Sequence, residues 1–470
     1  MVKMALDTNT IFDYSELLKE YRTNTLSNQQ IEDLKNNRLD LINEIVDTLT
    51  NFFHSPVIRN IHFDNPRFTN YYAVNEMYID MLKNGNLNES QIDLAINQLN
   101  HNFKLFCSNY SKLINYDVKS RRVVKNDLLT ESVEQKISGI YNSIFENCKT
   151  FHDISYKYEL ANLFQLAFTN PPKVELVITE YIESEVYSHI AGTSENIRAN
   201  ELKRKANGDR ECSLVREFDG DIIRDILGKC SIYVYTSKAK ERVKMLAKEL
   251  QGGIDPNTRK EVKGVDSSVN SLGETGDPNC VASVQCLGIV YVSRNIKDMK
   301  GKGINISQSD YSDLAVKYFE NLKQLKLEKL NSAINGKKMT DFDERYQELI
   351  DQQFKYLDTK RNSEIYTHII DAVEKITCAS NRHSGIYEPA EATDKIKDGS
   401  IEENNKELLG LVAVQVKHDN THVVGNDTRV YNNKYKVFMA EQMIATQQYY
   451  GYGNAGTVKT NDDNERTMGW

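Results

Sequence analysis

The chain has 470 residues, 27% of them charged and 40% hydrophobic, with a formal net charge of −8 and an isoelectric point near 5.7. That length exceeds what one hydrophobic core fills, so two lobes are expected, and the balance of residue types excludes wholesale disorder, collagen and continuous coiled coil. The acidic total argues against a surface that binds phosphate backbones everywhere, although it permits a local basic patch.

Residues 1 to about 210 read almost wholly as helix and turn, and the N-terminus (MVKMALDTNTIFDYSELLKEY) carries no apolar core of the kind a signal peptide needs. Ser27 and Gln30 form a capping box, and Ile31, Leu34, Leu41, Ile45, Leu49 and Phe52 follow at helical spacing, which predicts a helix with one core face. A second box, Asn88 with Gln91, follows the turn signal Asn84, Gly85, Asn86. It starts a helix whose stripe runs through Ile92, Ile96, Leu99, Phe103 and Phe106, with residues 71–82 as its expected partner. Further helices are predicted over about 127–147, 155–168 and 174–190, broken at Pro171 and Pro172, where the ring geometry ends a helix.

From about residue 215 the pattern changes. Ile232 to Tyr235 is a β-branched and aromatic run, and residues 239–250 form an amphipathic helix. Similar runs at 281–292, 408–416 and 430–439 predict further strands, the last two a hairpin about the turn at 425–427, with helices at about 309–332, 341–357 and 362–378. The polar stretch 251–279, with five glycines and two prolines, and the stretch 380–405 read as long loops. The expected fold class is α+β, mainly α: a helical bundle lobe (1–212), a lobe of small mixed β-sheet covered by helices (213–446), and a low-complexity arm (447–470).

The candidate sites are few. Seven cysteines at scattered positions fit a reducing compartment rather than a disulfide framework; Cys280 and Cys286 read as buried strand cysteines, not half of a zinc site. His418 and His422 flank a turn with no third ligand, so no metal is expected there. Asp219 and Asp221 read first as N-terminal helix chemistry before Ile222, Ile223, Ile226 and Leu227. The glycines at 273, 276, 301 and 303 lack phosphate-loop spacing, and Cys378 with His383 is only a nearby pair. Two basic clusters suit phosphate: Lys119, Arg121, Arg122 and Lys125 in one linker, and Arg198, Lys203, Arg204 and Lys205 in another.

No cofactor motif and no membrane span of 18 or more apolar residues is present in the sequence, so the expectation is a cytoplasmic protein without cofactor. The missing signatures favour a non-enzyme: a self-assembling, homo-oligomeric structural protein, such as a capsid, portal, connector or tail component of a virus with an A/T-rich genome, found in host cytoplasm and virion. A nucleic-acid-binding nucleoprotein is one alternative. The other is an enzyme with an unfamiliar site near the carboxyl ends of the sheet strands, using Asp219, Asp221 or His418.

Overall fold

The computed structural model describes residues 2–55, 66–114, 116–117, 122–123, 131–186, 220–250, 252–254, 261–263, 276–294, 308–361, 385–401 and 413–417. Within them the fold is α+β and mainly helical. The chain divides into two compact units, each drawn from separated stretches: 1–27, 160–302 and 363–470 in the first, 28–159 and 303–362 in the second.

The first unit is built on a six-stranded sheet. In chain order its strands are β1 (Val2–Leu6), β4 (Val174–Thr179), β5 (Ser231–Tyr235), β8 (Val290–Val292), β9 (Ile386–Tyr387) and β10 (Ala413–Lys417); strands β6 (Gly252–Ile254) and β7 (Glu261–Lys263) form a separate small antiparallel pair, as do the two-residue strands β2 (Tyr116–Asp117) and β3 (Arg122–Val123) of the second unit. The sheet order is β10-β5-β4-β1-β8-β9, with β10 antiparallel to β5 and the other pairs parallel. Helices α1 (Thr8–Glu20), α6 (Gly220–Gly228), α7 (Ser237–Leu250) and α8 (Gly276–Leu287) belong to this unit. So does α11 (Pro389–Lys397).

Three readings of the sequence are corrected here. Residues 2–6 and 174–179 are strands, not helix or turn. A strand buried on both faces is a nearly unbroken apolar run, so it carries no alternation to distinguish it from a short helix; Met4, Ala5, Leu6, Val177 and Ile178 are all fully buried. The run 281–292 is the end of a helix followed by a strand, with Gly288 at φ 64° between them, the left-handed turn that glycine supplies after a helix. The stretches 251–279 and 380–405 are not featureless, since β6, β7, β9, α11 and the start of α8 lie in them. The predicted strand over 430–439, its turn at 425–427, the helix at 362–378 and the arm at 447–470 lie outside the described residues.

The second unit contains α2 (Asn28–Phe53), α3 (Pro66–Asn84), α4 (Glu89–Ile114), the greater part of α5 (Glu131–Phe168), α9 (Gln308–Ile334) and α10 (Phe342–Arg361). The two helices expected on either side of residue 150 are one, α5. The predicted stripes are the core: Ile45, Leu49, Phe52, Ile96, Leu99, Phe103 and Phe106 are buried together, with Phe52 and Phe103 meeting edge to face at 5.3 Å. The box at the start of α4 is reciprocal, the Gln91 N–H donating to Asn88 Oδ1 at 2.9 Å and the Asn88 N–H to Gln91 Oε1 at 3.1 Å. Before it, Gly85 admits no side chain: a Cβ there falls 2.6 Å from the Met81 carbonyl oxygen and 2.6 Å from Ile350 Cδ1.

Candidate active site

The order of the sheet fixes where a ligand crevice opens. From β1 the chain steps to β4 and then β5 on one side, and later returns to β8 on the other side of β1. In an open parallel sheet the loops diverge at such a switch, beyond the carboxyl ends of the two strands. The residues at those ends here are Asp7 after β1 and Ser293 after β8.

Asp7 is 3% exposed, and its own N–H continues the ladder to the Val292 carbonyl at 2.8 Å. Among the described residues the donors that reach its carboxylate are neutral. Tyr291 Oη donates to Oδ1 at 2.6 Å, Ser293 Oγ donates to Oδ2 at 2.7 Å, and the Thr8 backbone N–H adds a third bond. Burial raises the pKa of Asp7 to about 6; the Tyr291 and Ser293 hydrogen bonds act in the opposite direction, and the neighbouring Glu185 charge raises it further. The same environment, burial first and the Asp7 charge second, pushes the Tyr291 phenol well above its usual range.

Glu185 comes from the helical residues 180–186 that follow β4. It is 8% exposed, and its Oε2 accepts from Thr8 Oγ1 at 2.7 Å and from Cys280 Sγ on α8 at 3.1 Å. Consecutive residues, Asp7 and Thr8, therefore connect the end of β1 to β8 on one side and to Glu185 on the other.

The rest of the edge is tied together around this pair. Glu180 accepts the Tyr235 N–H at 2.9 Å and Lys240 Nζ at 2.7 Å, joining the ends of β4 and β5; burial raises its pKa, and Lys240 works against that. Thr179 and Ser283 share a hydrogen bond of 2.8 Å, which seats α8 against β4. Thr10 Oγ1 donates to the Val292 carbonyl at 3.3 Å, and one turn further along α1 the buried Asp13 receives Arg294 Nη1 at 3.4 Å. The Arg294 side chain is half exposed.

Most residues named from the sequence lie outside the described residues. Of Asp219, Asp221 and His418, only Asp221 is described; it is in the first turn of α6, 87% exposed and paired with Arg224. His422, Cys378, His383, the glycines at 273, 301 and 303, and Lys119, Arg121, Lys125, Arg198, Lys203, Arg204 and Lys205 lie outside the described residues, whereas Arg122 is placed in β3. Cys280 and Cys286 are on α8, not on a strand; burial pushes the Cys286 thiol up to about 12. Among the described residues no group of three or more His, Cys, Asp and Glu is arranged to hold a metal ion, and no helix is long and apolar enough to cross a membrane. No family model matches this chain, and no curated protein or solved structure matches it either.

Proposed function

We propose that this chain is a hydrolase of phosphodiesters, with nucleic acid as its substrate and the Asp7 and Glu185 pair as the centre of its site. The observation that carries this reading is the burial of two interacting carboxylates where the parallel sheet diverges. Their oxygens are hard ligands of the type that magnesium or manganese takes. Magnesium is held commonly by one or two carboxylates together with water and substrate phosphate, so a pair suffices although the described residues form no larger group of ligands. When bound, such an ion supplies charge neutralisation and an activated water.

The chain's own residues do the rest. Tyr291, Ser293, Thr8 and Cys280 hold the two carboxylates in position. Asp7 and Glu185 would hold the cation, and the attacking water gives up its proton to solvent. The water oxygen bonds to phosphorus, the bond from phosphorus to the leaving sugar oxygen breaks, and that oxygen takes a proton from solvent. Nucleic acid is the favoured substrate because Arg198, Lys203, Arg204 and Lys205 follow Glu185 within 20 residues of chain.

Incubating the full chain with labelled single-stranded RNA and DNA, with magnesium or manganese and then with EDTA, tests the reading. Cleavage that needs the cation and disappears in Asp7→Asn supports it; intact oligonucleotides under all conditions exclude it.

One observation favours self-assembly as a second reading. Leu327, Leu330 and Ile334 lie on one face of α9 at three- and four-residue steps and are 42%, 56% and 72% exposed. Light scattering across protein concentration, with Leu330→Lys as the control, tests whether this stripe joins copies of the chain.

A further inference from the structure

Helix α9 is apolar on two sides. Ala315, Tyr318, Leu322 and Leu325 are buried, and the first three belong to the core that the helix shares with α3 and α10. Val316, Leu327, Leu330 and Ile334 form a second stripe, 42% to 72% exposed. A helix packed on a core normally turns its outer side polar, so an apolar stripe facing water marks a surface of contact.

The stripe has the spacing of a helix-pairing seam. Together with Glu320 and Lys323, both exposed, it runs through positions 316, 320, 323, 327, 330 and 334. These alternating steps of four and three keep all six residues along one line of the helix, where a second helix can lie against them. From Val316 to Ile334 the seam is about 27 Å long.

The two charged residues select the partner and its direction. In a parallel pair in register, Glu320 would meet Glu320 and Lys323 would meet Lys323. About a two-fold axis that passes between them, two antiparallel helices set Glu320 of each copy against Lys323 of the other, and the same register sets Val316 against Leu327. We propose that two copies of this chain associate through α9 in this antiparallel arrangement. A two-fold contact must be complementary to itself, and an acid and a base three positions apart in one seam satisfy that condition; a partner of different sequence does not require it. Leu330 and Ile334 lie outward of the paired positions and extend the apolar surface toward the end of the helix. This rests on the reading of the α9 stripe as a self-assembly surface and is independent of the Asp7 and Glu185 site.

Sedimentation velocity of the full chain across protein concentration tests it with wild type, Leu327→Lys, Glu320→Lys, Lys323→Glu and the double reversal. The three positions are exposed, and each variant is checked for an unchanged melting profile. Wild type is expected to dimerise and Leu327→Lys to remain monomeric. Each single reversal brings like charges together at both symmetric pairs and is expected to weaken the dimer by about tenfold, while the double reversal returns it to within about threefold of wild type. Single reversals that leave the dimer unchanged, or a double reversal that binds no more tightly than the single ones, overturn the antiparallel pairing while self-assembly stands. A dimer untouched by Leu327→Lys, or a wild type that stays monomeric, removes the α9 surface and this proposal with it.

Discussion

Two of the buried clusters of ionisable groups among the described residues differ in how their charge is balanced. In the helical unit, Arg38 is 2% exposed and donates Nε to Ser155 Oγ at 2.8 Å, Nη2 to Asp93 Oδ1 at 3.3 Å and Nη1 to Glu89. Ser155 in turn donates to Asp93, and Phe151 and Tyr158 lie against the guanidinium, with ring centroids 5.5 and 5.6 Å away. Burial works to lower the pKa of Arg38, but Asp93, Glu89 and Glu159 outweigh it and keep the group charged. At the sheet edge, by contrast, Asp7 meets a second carboxylate and neutral donors. A cluster with its counterion built in is a structural device. A buried carboxylate with a raised pKa at the diverging end of a parallel sheet is a candidate for binding and catalysis.

Substitutions separate the two. The largest effect expected is on catalysis: Asp7→Asn should reduce cation-dependent cleavage of an oligonucleotide by about a thousandfold or more, measured as kcat, because it removes the charge at the centre of the site. Removing the buried charge of Arg38 is predicted to act on folding. Arg38→Met leaves Glu89 and Asp93 without their cation and should cost about 3–5 kcal/mol in denaturant unfolding.

The pH dependence of stability sharpens the contrast. Asp7 has its folded pKa raised from 3.8 to about 6, so the folded state holds its proton more tightly than the unfolded chain does. The stability this gives is fully present below about pH 4 and is lost as pH rises through 6, a change of about 3 kcal/mol. Comparing unfolding of wild type and Asp7→Asn at pH 4 and pH 7.5 isolates it. The variant is expected to lack that loss and to be at least as stable as wild type at the higher pH. The smallest effect is local: Asn88→Ala removes one half of the capping box at the start of α4 and should cost about 1 kcal/mol, read by thermal melting.

What could be read from the sequence follows the same division. The helical unit was legible because its helices are amphipathic and long: Ile31, Leu34, Ile45, Leu49 and Phe52 are buried at the predicted steps, and the cap at Asn88 and Gln91 is formed as its spacing requires. The sheet was legible where a β-branched run stood alone, at Ile232 to Tyr235, and not where the strand was short and buried on both faces, as at Met4 to Leu6. The site was hidden for the same reason. Its signal is a short apolar run ended by Asp7 and Thr8, a feature without meaning until β1 is known to be the middle strand at which the sheet diverges. Glu185 and Ser293 lie 178 and 286 residues away from Asp7, and no local spacing connects them. Arg38 was missed too, because a charged residue on a predicted helix reads as solvated until Glu89 and Asp93 are seen to pack against it.

Manganese binding to the full chain, followed by electron paramagnetic resonance alongside thermal melting in wild type and Asp7→Asn, probes the carboxylate pair without a substrate. Wild type is expected to bind manganese and to melt at a higher temperature with it, while Asp7→Asn folds normally and loses both effects. A wild type that takes up no manganese, or an Asp7→Asn variant that binds it as tightly, would contradict the claim that the Asp7 and Glu185 pair is a cation-dependent site.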